Sequence, residues 1–363
     1  MACGENPKRV YGDDGQFPST RMGNVAGYRQ AFADAKDYME DWKEYDAKLA
    51  KYEKSESEWR RGRESPPQPP KQDLKLETLA EVMRGHILVH NHCYRADEMA
   101  TMLDIAKEFG YKISAFHHGV EAYKIADRLA EEGVCGALWA DWWGFKMEAY
   151  DGVQENIAMV DHPKGGCAIV HSDSEEGIQR LNQEAAKAMT RGKLAGFDIP
   201  PERAIRWITS NPAKCARHPD QTGTLEPGKM ADVVVWNGTP FSVYALADQV
   251  FVDGVVRFDR SKPSAVVGFP AMKAVRIAAI LVAAMLGTGV AHAQDVFIKG
   301  ARVHTAGKAG TLENADILVQ DGRIAAVGGN FTAPAGATVV EAERPAGDAG
   351  LSSPASRRSA SRK

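Results

Sequence analysis

No two cysteines in this 363-residue sequence stand as a C-x-x-C pair, and the five present (Cys3, Cys93, Cys135, Cys167, Cys215) are odd in number. A cysteine zinc knuckle or a paired redox motif is therefore not encoded. Cys93, Cys135 and Cys167 sit beside apolar, strand-like segments and read as buried free thiols, which leave the compartment open. An excess of charge of one sign is also lacking. The net charge is −3 with 26% charged residues, which gives no footprint for a nucleic acid or an anionic membrane. Long apolar runs are lacking too, except for Ile277 to Val290, and its fourteen residues are short for a membrane span. The length suffices for a barrel or for two ordinary domains.

What is present centres on His86 to Asp127, HILVHNHCYRADEMATMLDIAKEFGYKISAFHHGVEAYKIAD. The apolar runs ILV and ISAF fit short buried strands, each ending in histidines: His90 and His92, then His117 and His118. Between them Met99, Met102, Leu103, Ile105 and Ala106 recur at helical spacing. A third strand-like run, CAIV, ends in His171-Ser172-Asp173. Histidines at the C-terminal ends of successive parallel strands are where a (β/α) barrel keeps its chemistry. Two histidines and an aspartate from such ends make a divalent-metal constellation, because imidazole and carboxylate suit zinc and its neighbours.

The run HCYRADEM, the His-x-x-Glu-Ala-Tyr-Lys turn after it, and the later strand ending in Ser-Asp together resemble the amidohydrolase superfamily of metal-dependent hydrolases. Within it, the resemblance is to the imidazolonepropionase-like and dipeptidase-like branch. It implies a TIM-like barrel, here its later strands, with a small β-sandwich domain. Setting Arg95-Ala96-Asp97 on the family's His-Ala-His-Arg-Ala-Asp run implies His92 as a ligand, with Tyr94 in the place of the second histidine. The Glu-Ala spacing implies His118 rather than His117, and Asp173 falls on the aspartate that binds metal and takes a proton from water. His90, His117 and His171 are read as core or surface residues. Met1 to Met22 resembles an internal stretch near the fourth barrel strand, which implies that the first barrel half and its His-x-His pair are absent; no His-x-His occurs before position 90. Glu5 is the candidate for the bridging carboxylate, with an ordinary surface-loop residue as the alternative.

The rest of the chain divides by composition. Residues 1–222 read as the partial barrel, with a charged, aromatic-rich helical insertion at about 24–65 whose Tyr28, Phe32, Tyr38, Trp42 and Tyr45 suit one amphipathic helix. Pro66 to Pro70 is a stiff break. Trp142, Trp143 and Phe145, after the strand-like GALWAD, either line a substrate pocket or pack against the long helix. Residues 223–260 carry strands with an Asp253-Gly254 hairpin signal. Lys273, Arg276, the apolar run and Ala291-His292-Ala293 are the parts of a secretory signal peptide, at 272–293. Residues 294–342 resemble the opening sandwich strands of a second amidohydrolase, and 343–363 read as a disordered tail. Val296 to Gly328 could complete a permuted sandwich with Met230 to Phe258.

The resemblance implies hydrolysis of a carbon–nitrogen bond other than an ordinary peptide bond, in a small amide or peptide-like substrate, by water activated on a divalent metal, zinc foremost. His92, His118, Asp173 and Glu5 are the implied metal set, Asp173 the proton acceptor, and Tyr94, Arg95 and Trp142 the substrate-binding candidates. A missing barrel half implies impaired turnover. The alternatives are a non-catalytic remnant, a subunit complemented by a separate polypeptide that carries the first barrel half, and a protein anchored by Ile277 to Val290; a homo-oligomer is the other partner expectation. The signal-like segment points to periplasm or secretion; without it the reading is cytoplasmic.

Overall fold

The computed structural model describes residues 1–54, 62, 65–262 and 295–342. The signal-like segment at 272–293 and the tail at 343–363 lie outside the described residues. The chain divides into two compact units, Met1–Arg217 and His218–Lys363.

The first unit is built on a parallel sheet. Its strands β1 (Val89–Cys93), β2 (Ile113–His118), β3 (Cys135–Leu138) and β4 (Ala168–Val170) lie in the order β1-β2-β3-β4. Its helices are α1 (Glu5–Gly12), α2 (Arg21–Glu53), α3 (Leu74–Met83), α4 (Ala96–Phe109), α5 (Ala126–Glu132), α6 (Asn156–Asp161) and α7 (Leu181–Leu194), followed by the short α8 (Pro201–Ala204) and α9 (Ser210–Cys215). The β1–α4–β2 crossover is the expected one: α4 buries Met99, Met102, Leu103, Ile105 and Ala106 and ends at Gly110, whose φ of 76° a side chain would strain. β3 and β4 are buried at every position, as a covered parallel sheet requires. Ahead of β1, Ala2 forms a parallel bridge to His92, with the Cys3 amide donating to the His92 carbonyl (2.7 Å).

Helix α2 starts at the Thr20 cap, whose hydroxyl accepts from the Gly23 amide, and runs through most of the charged insertion. Its apolar face is narrow. Phe32 is fully buried and stacks on Tyr111 (4.4 Å) and Phe109 (5.7 Å). Near its start Arg21 stands between the carboxylates of Glu148 (2.5 Å) and Glu98 (3.3 Å), both buried.

The cysteine reading needs correcting. All five cysteines are buried, but Cys3 is bonded to Cys93 and Cys135 to Cys167, and only Cys215 is free. The reason is strand adjacency. β3 lies between β2 and β4, and the chain enters β4 through Cys167 with its Cα 4.6 Å from that of Cys135. Cys3 is likewise brought beside β1 by the Ala2–His92 bridge. Sequence separations of 32 and 90 conceal both proximities.

The second unit holds an antiparallel sheet of β5 (Val233–Trp236), β6 (Ala247–Val252) and β7 (Val255–Asp259). A second sheet has the order β10-β9-β8-β11, from β8 (Val296–His304), β9 (Thr311–Gln320), β10 (Arg323–Gly328) and β11 (Thr338–Glu341). The β6–β7 turn is the Asp253-Gly254 pair, with φ of 50° and 74°, the left-handed values a tight hairpin demands. Segments flanking the signal-like stretch share one apolar cluster: Val233 and Phe251 pack with Val296, Ile298, Ile317, Val319 and Ile324. Backbone bonds join them as well, from the Ala231 amide to the Gly322 carbonyl (3.0 Å) and from the Ile324 amide to the Lys229 carbonyl (2.9 Å). Phe251→Ala should therefore cost about 3–5 kcal/mol in urea unfolding and loosen both sheets together. Hydrogen exchange confined to β5–β7 would contradict a shared core.

Candidate metal centre

The site forms where the strands of the parallel sheet end. Register sets Cys93 opposite His118, His118 opposite Leu138 and Leu138 opposite Val170, so the residues just beyond lie at one level. His118 ends β2, while His171 and Asp173 follow β4. Their donor atoms lie within 4.8 Å of one another. Asp173 Oδ2 is 3.4 Å from His118 Nδ1, and Oδ1 is 3.7 Å from His171 Nδ1. His118 Nδ1 and His171 Nε2 are both buried without a hydrogen-bond partner. Such orphaned acceptors are rare unless something else occupies them. His118 also has a φ of 72°, a strained backbone of the kind retained at functional positions.

Burial, with further lowering from neighbouring histidines, depresses the imidazoles. His118 falls to about 2, and His171 to about 4 under desolvation and His117. Desolvation and the Lys146 ammonium bring His92 to about 4. Neutral imidazoles with free lone pairs, beside a carboxylate, are the donor set a divalent ion needs, so these residues fit one. Burial pushes the Asp173 carboxyl up, against the pull of Lys146. The unfolded chain, with imidazoles near their ordinary 6.5, binds more protons than the folded chain as pH falls below that value. Stability of the metal-free protein should therefore drop from about pH 6.5 downward, by up to ~1.4 kcal/mol per pH unit for each imidazole. Urea midpoints at pH 7.5 and 5.5 check this, and equal values would contradict it.

The sequence-selected residues are distributed unevenly. His118 and Asp173 are in the cluster. His92 is next to it, its ring 4.3 Å from that of His118, but its Nε2 faces the Asn6 amide nitrogen at 3.0 Å. Tyr94 is buried and stacks on His118 (5.3 Å). Arg95 points to Asp97, donating to both carboxylate oxygens (2.9 and 3.1 Å). Glu5 begins α1 and lines a separate cleft with Lys8, Arg9 and Asp13, while its amide donates to Glu148. Glu5 is not among the converging donors. His90 Nδ1 and His117 Nε2 are 2.9 Å apart, within hydrogen-bond distance.

Two residues at or beside the cluster have no site role in the sequence reading. His171 is one: a core or surface residue by its sequence, it has a buried Nε2 without a hydrogen-bond partner and its Nδ1 3.7 Å from Asp173 Oδ1. The signal available was its place two residues before that aspartate on the same strand end. Lys146 is the other, in the loop after β3. Its Nζ lies 3.6 Å from the centre of the Tyr94 ring and 3.2 Å from Asn6 Oδ1.

Beside the cluster is a cavity of about 280 Å³ lined by His118, Val120, Trp139, Trp142 and Trp143, among others. Trp139 packs beside both histidines, its ring 4.7 Å from His118 and 5.6 Å from His171, and Trp142 stacks on it at 4.9 Å. Trp142 lines this cavity.

Residues 154–258 match the Amidohydrolase family. A solved amidohydrolase from Thermotoga maritima MSB8 superposes with a TM-score of 0.59 at 35% identity, over 72% of this chain and 62% of that one. Amidohydrolase tasK of Hapsidospora irregularis is 32% identical over 277 residues, which are 73% of this chain and 26% of tasK. Urease subunit alpha of Haloquadratum walsbyi is 40% identical over 97 residues, 23% of this chain and 17% of the urease subunit. The chain thus spans about a quarter of tasK and less than two thirds of the Thermotoga protein. With histidines and an aspartate converging at the ends of a parallel sheet, the chain belongs to the amidohydrolase superfamily.

Proposed function

We propose that this chain is a metal-dependent hydrolase of a carbon–nitrogen bond in a small amide or peptide-like molecule. The convergence of His118, His171 and Asp173 carries the reading. These three would hold the ion, zinc being the one their nitrogen and oxygen donors suit best. Such an ion supplies a Lewis acid and brings the proton loss of water toward neutral pH. Asp173 takes the proton as water attacks the carbonyl carbon, then returns it to the nitrogen as the carbon–nitrogen bond breaks. Trp139 and the cavity walls exclude bulk water and seat an apolar part of the substrate. His92, capped by Asn6, stands beside the reacting group, where a change in the Asn6 contact would free its lone pair.

The partial barrel is the fold in which strand-end ligands have this role. Two disulfides in the first unit favour an oxidising compartment, in keeping with the periplasmic or secreted reading. A second reading, metal binding without turnover, draws on the ligand count: among the described residues this is the one group of three or more that could hold a metal. The experiment is an amine-release screen of N-acyl amino acids and cyclic amides. Release that appears with added zinc and stops with chelator supports hydrolysis; stoichiometric zinc with no release across the screen supports the second reading.

A further inference from the structure

We propose that the Trp139 indole N–H is a specificity group for the part of the substrate that fills the cavity. It donates to an acceptor there, so the class taken is an amide whose side group is uncharged, largely apolar and carries a carbonyl or ether oxygen. The inference rests on the reading of His118, His171 and Asp173 as the reacting centre and adds what lies beside it. Trp139 is 6% exposed and lines the cavity, yet its Nε1 is buried without an acceptor. A buried indole N–H ordinarily has a partner, because the hydrogen bond it gives up to water must be replaced. Near-parallel rings lie against this indole, Trp142 at 4.9 Å and His171 at 5.6 Å, and take up its faces. What it offers the cavity is its edge, which carries the N–H and is the positive side of an aromatic ring.

The other polar side chains of the cavity narrow the choice of ligand. The Asn156 carboxamide is satisfied: its Oδ1 accepts from the Tyr123 amide (2.9 Å), and its Nδ2 donates to the Gly119 and Val120 carbonyls (2.9 and 3.3 Å). Asp141 pairs with Lys187 (2.7 Å), and the Trp143 indole donates to the Tyr150 carbonyl (2.7 Å). Gln154 is exposed. A cationic side group would therefore enter without a counter-charge, and an anionic one would meet a single neutral donor, too little to offset its desolvation. An uncharged oxygen beside apolar carbon costs little to desolvate and satisfies the indole. This oxygen is distinct from that of the scissile amide, which belongs at His118 and Asp173.

Binding of acetophenone and of ethylbenzene, its counterpart without the oxygen, to the purified full chain tests this. Chelator is present throughout, so that the ketone cannot bind through a metal. The chain has seven tryptophans, and their indole N–H resonances are followed by NMR. The resonance lost in Trp139→Phe is that of Trp139; should this variant not fold, Phe replacements of the other tryptophans assign it by elimination. Acetophenone should move the Trp139 indole proton downfield, and ethylbenzene should not. Trp139→Phe keeps a ring in the wall but removes the donor, so it should weaken acetophenone binding about tenfold and ethylbenzene binding less than about twofold. No binding of acetophenone, no downfield movement of the Trp139 proton, or equal losses for the two probes would overturn the proposal. So would tighter binding of benzoate or of phenylethylammonium than of acetophenone. Failure of the hydrolytic reading appears separately, as absent zinc or absent amine release with the acetophenone result intact.

Discussion

Asp173→Asn is expected to lower the rate of zinc-supported amide hydrolysis by about three orders of magnitude, within the usual range for loss of a general acid–base group. The asparagine keeps the shape and an oxygen that can still face the cluster, but it cannot accept the proton of water at neutral pH. Asp173 is the exposed member of the cluster, with a side chain 45% accessible. Its neighbours in the site are the two histidines, and its removal leaves no buried charge unpaired. The melting temperature of the variant should therefore stay within about 2 °C of the parent. Loss of both activity and fold would mean that Asp173 is structural. Activity within tenfold of the parent would put the proton acceptor elsewhere.

The second large effect concerns stability. Removing the Cys135–Cys167 bridge by replacing both residues with Ala should lower the unfolding free energy by about 2–4 kcal/mol. Releasing a loop of 32 residues restores chain entropy of that order to the unfolded state. The Cys3–Cys93 bridge closes a longer loop, with a separation of 90, and ties the segment that carries α1 and Asn6 to β1. Thiol titration in denaturant offers a direct check. About one free thiol per chain is expected before reduction, namely Cys215, whose burial raises its thiol to about 11 and makes it unreactive in the folded protein. Five thiols before reduction, or a double variant as stable as the parent, would contradict the bridges.

Those bridges mark the limit of what could be read from residues alone. The β1–α4–β2 crossover was legible because α4 has a strong helical period and short apolar runs flank it on both sides. His118 and Asp173 were legible because each ends such a run within a recognisable motif. His171 looked like any histidine at a strand end, since only the neighbouring strand shows that its partner is Asp173. Lys146 was out of reach because it sits in an irregular loop, where periodicity says nothing about direction. Glu5 was chosen from the likeness of Met1 to Met22 to a stretch near the fourth barrel strand; it begins α1 and lines a cleft with Lys8, Arg9 and Asp13. The pairing of 230–258 with 296–328 was legible as two half-sets of strands, and packing of Phe251 against Val296 and Ile317 gave it a common core.

Metal content tests the central claim most directly. The full chain, loaded with zinc and desalted, should hold about one zinc per chain by plasma mass spectrometry, and the His118→Ala/His171→Ala/Asp173→Ala triple variant less than about a tenth of that. The same zinc in both proteins, or none in either, would contradict the assignment of this strand-end cluster as a metal centre.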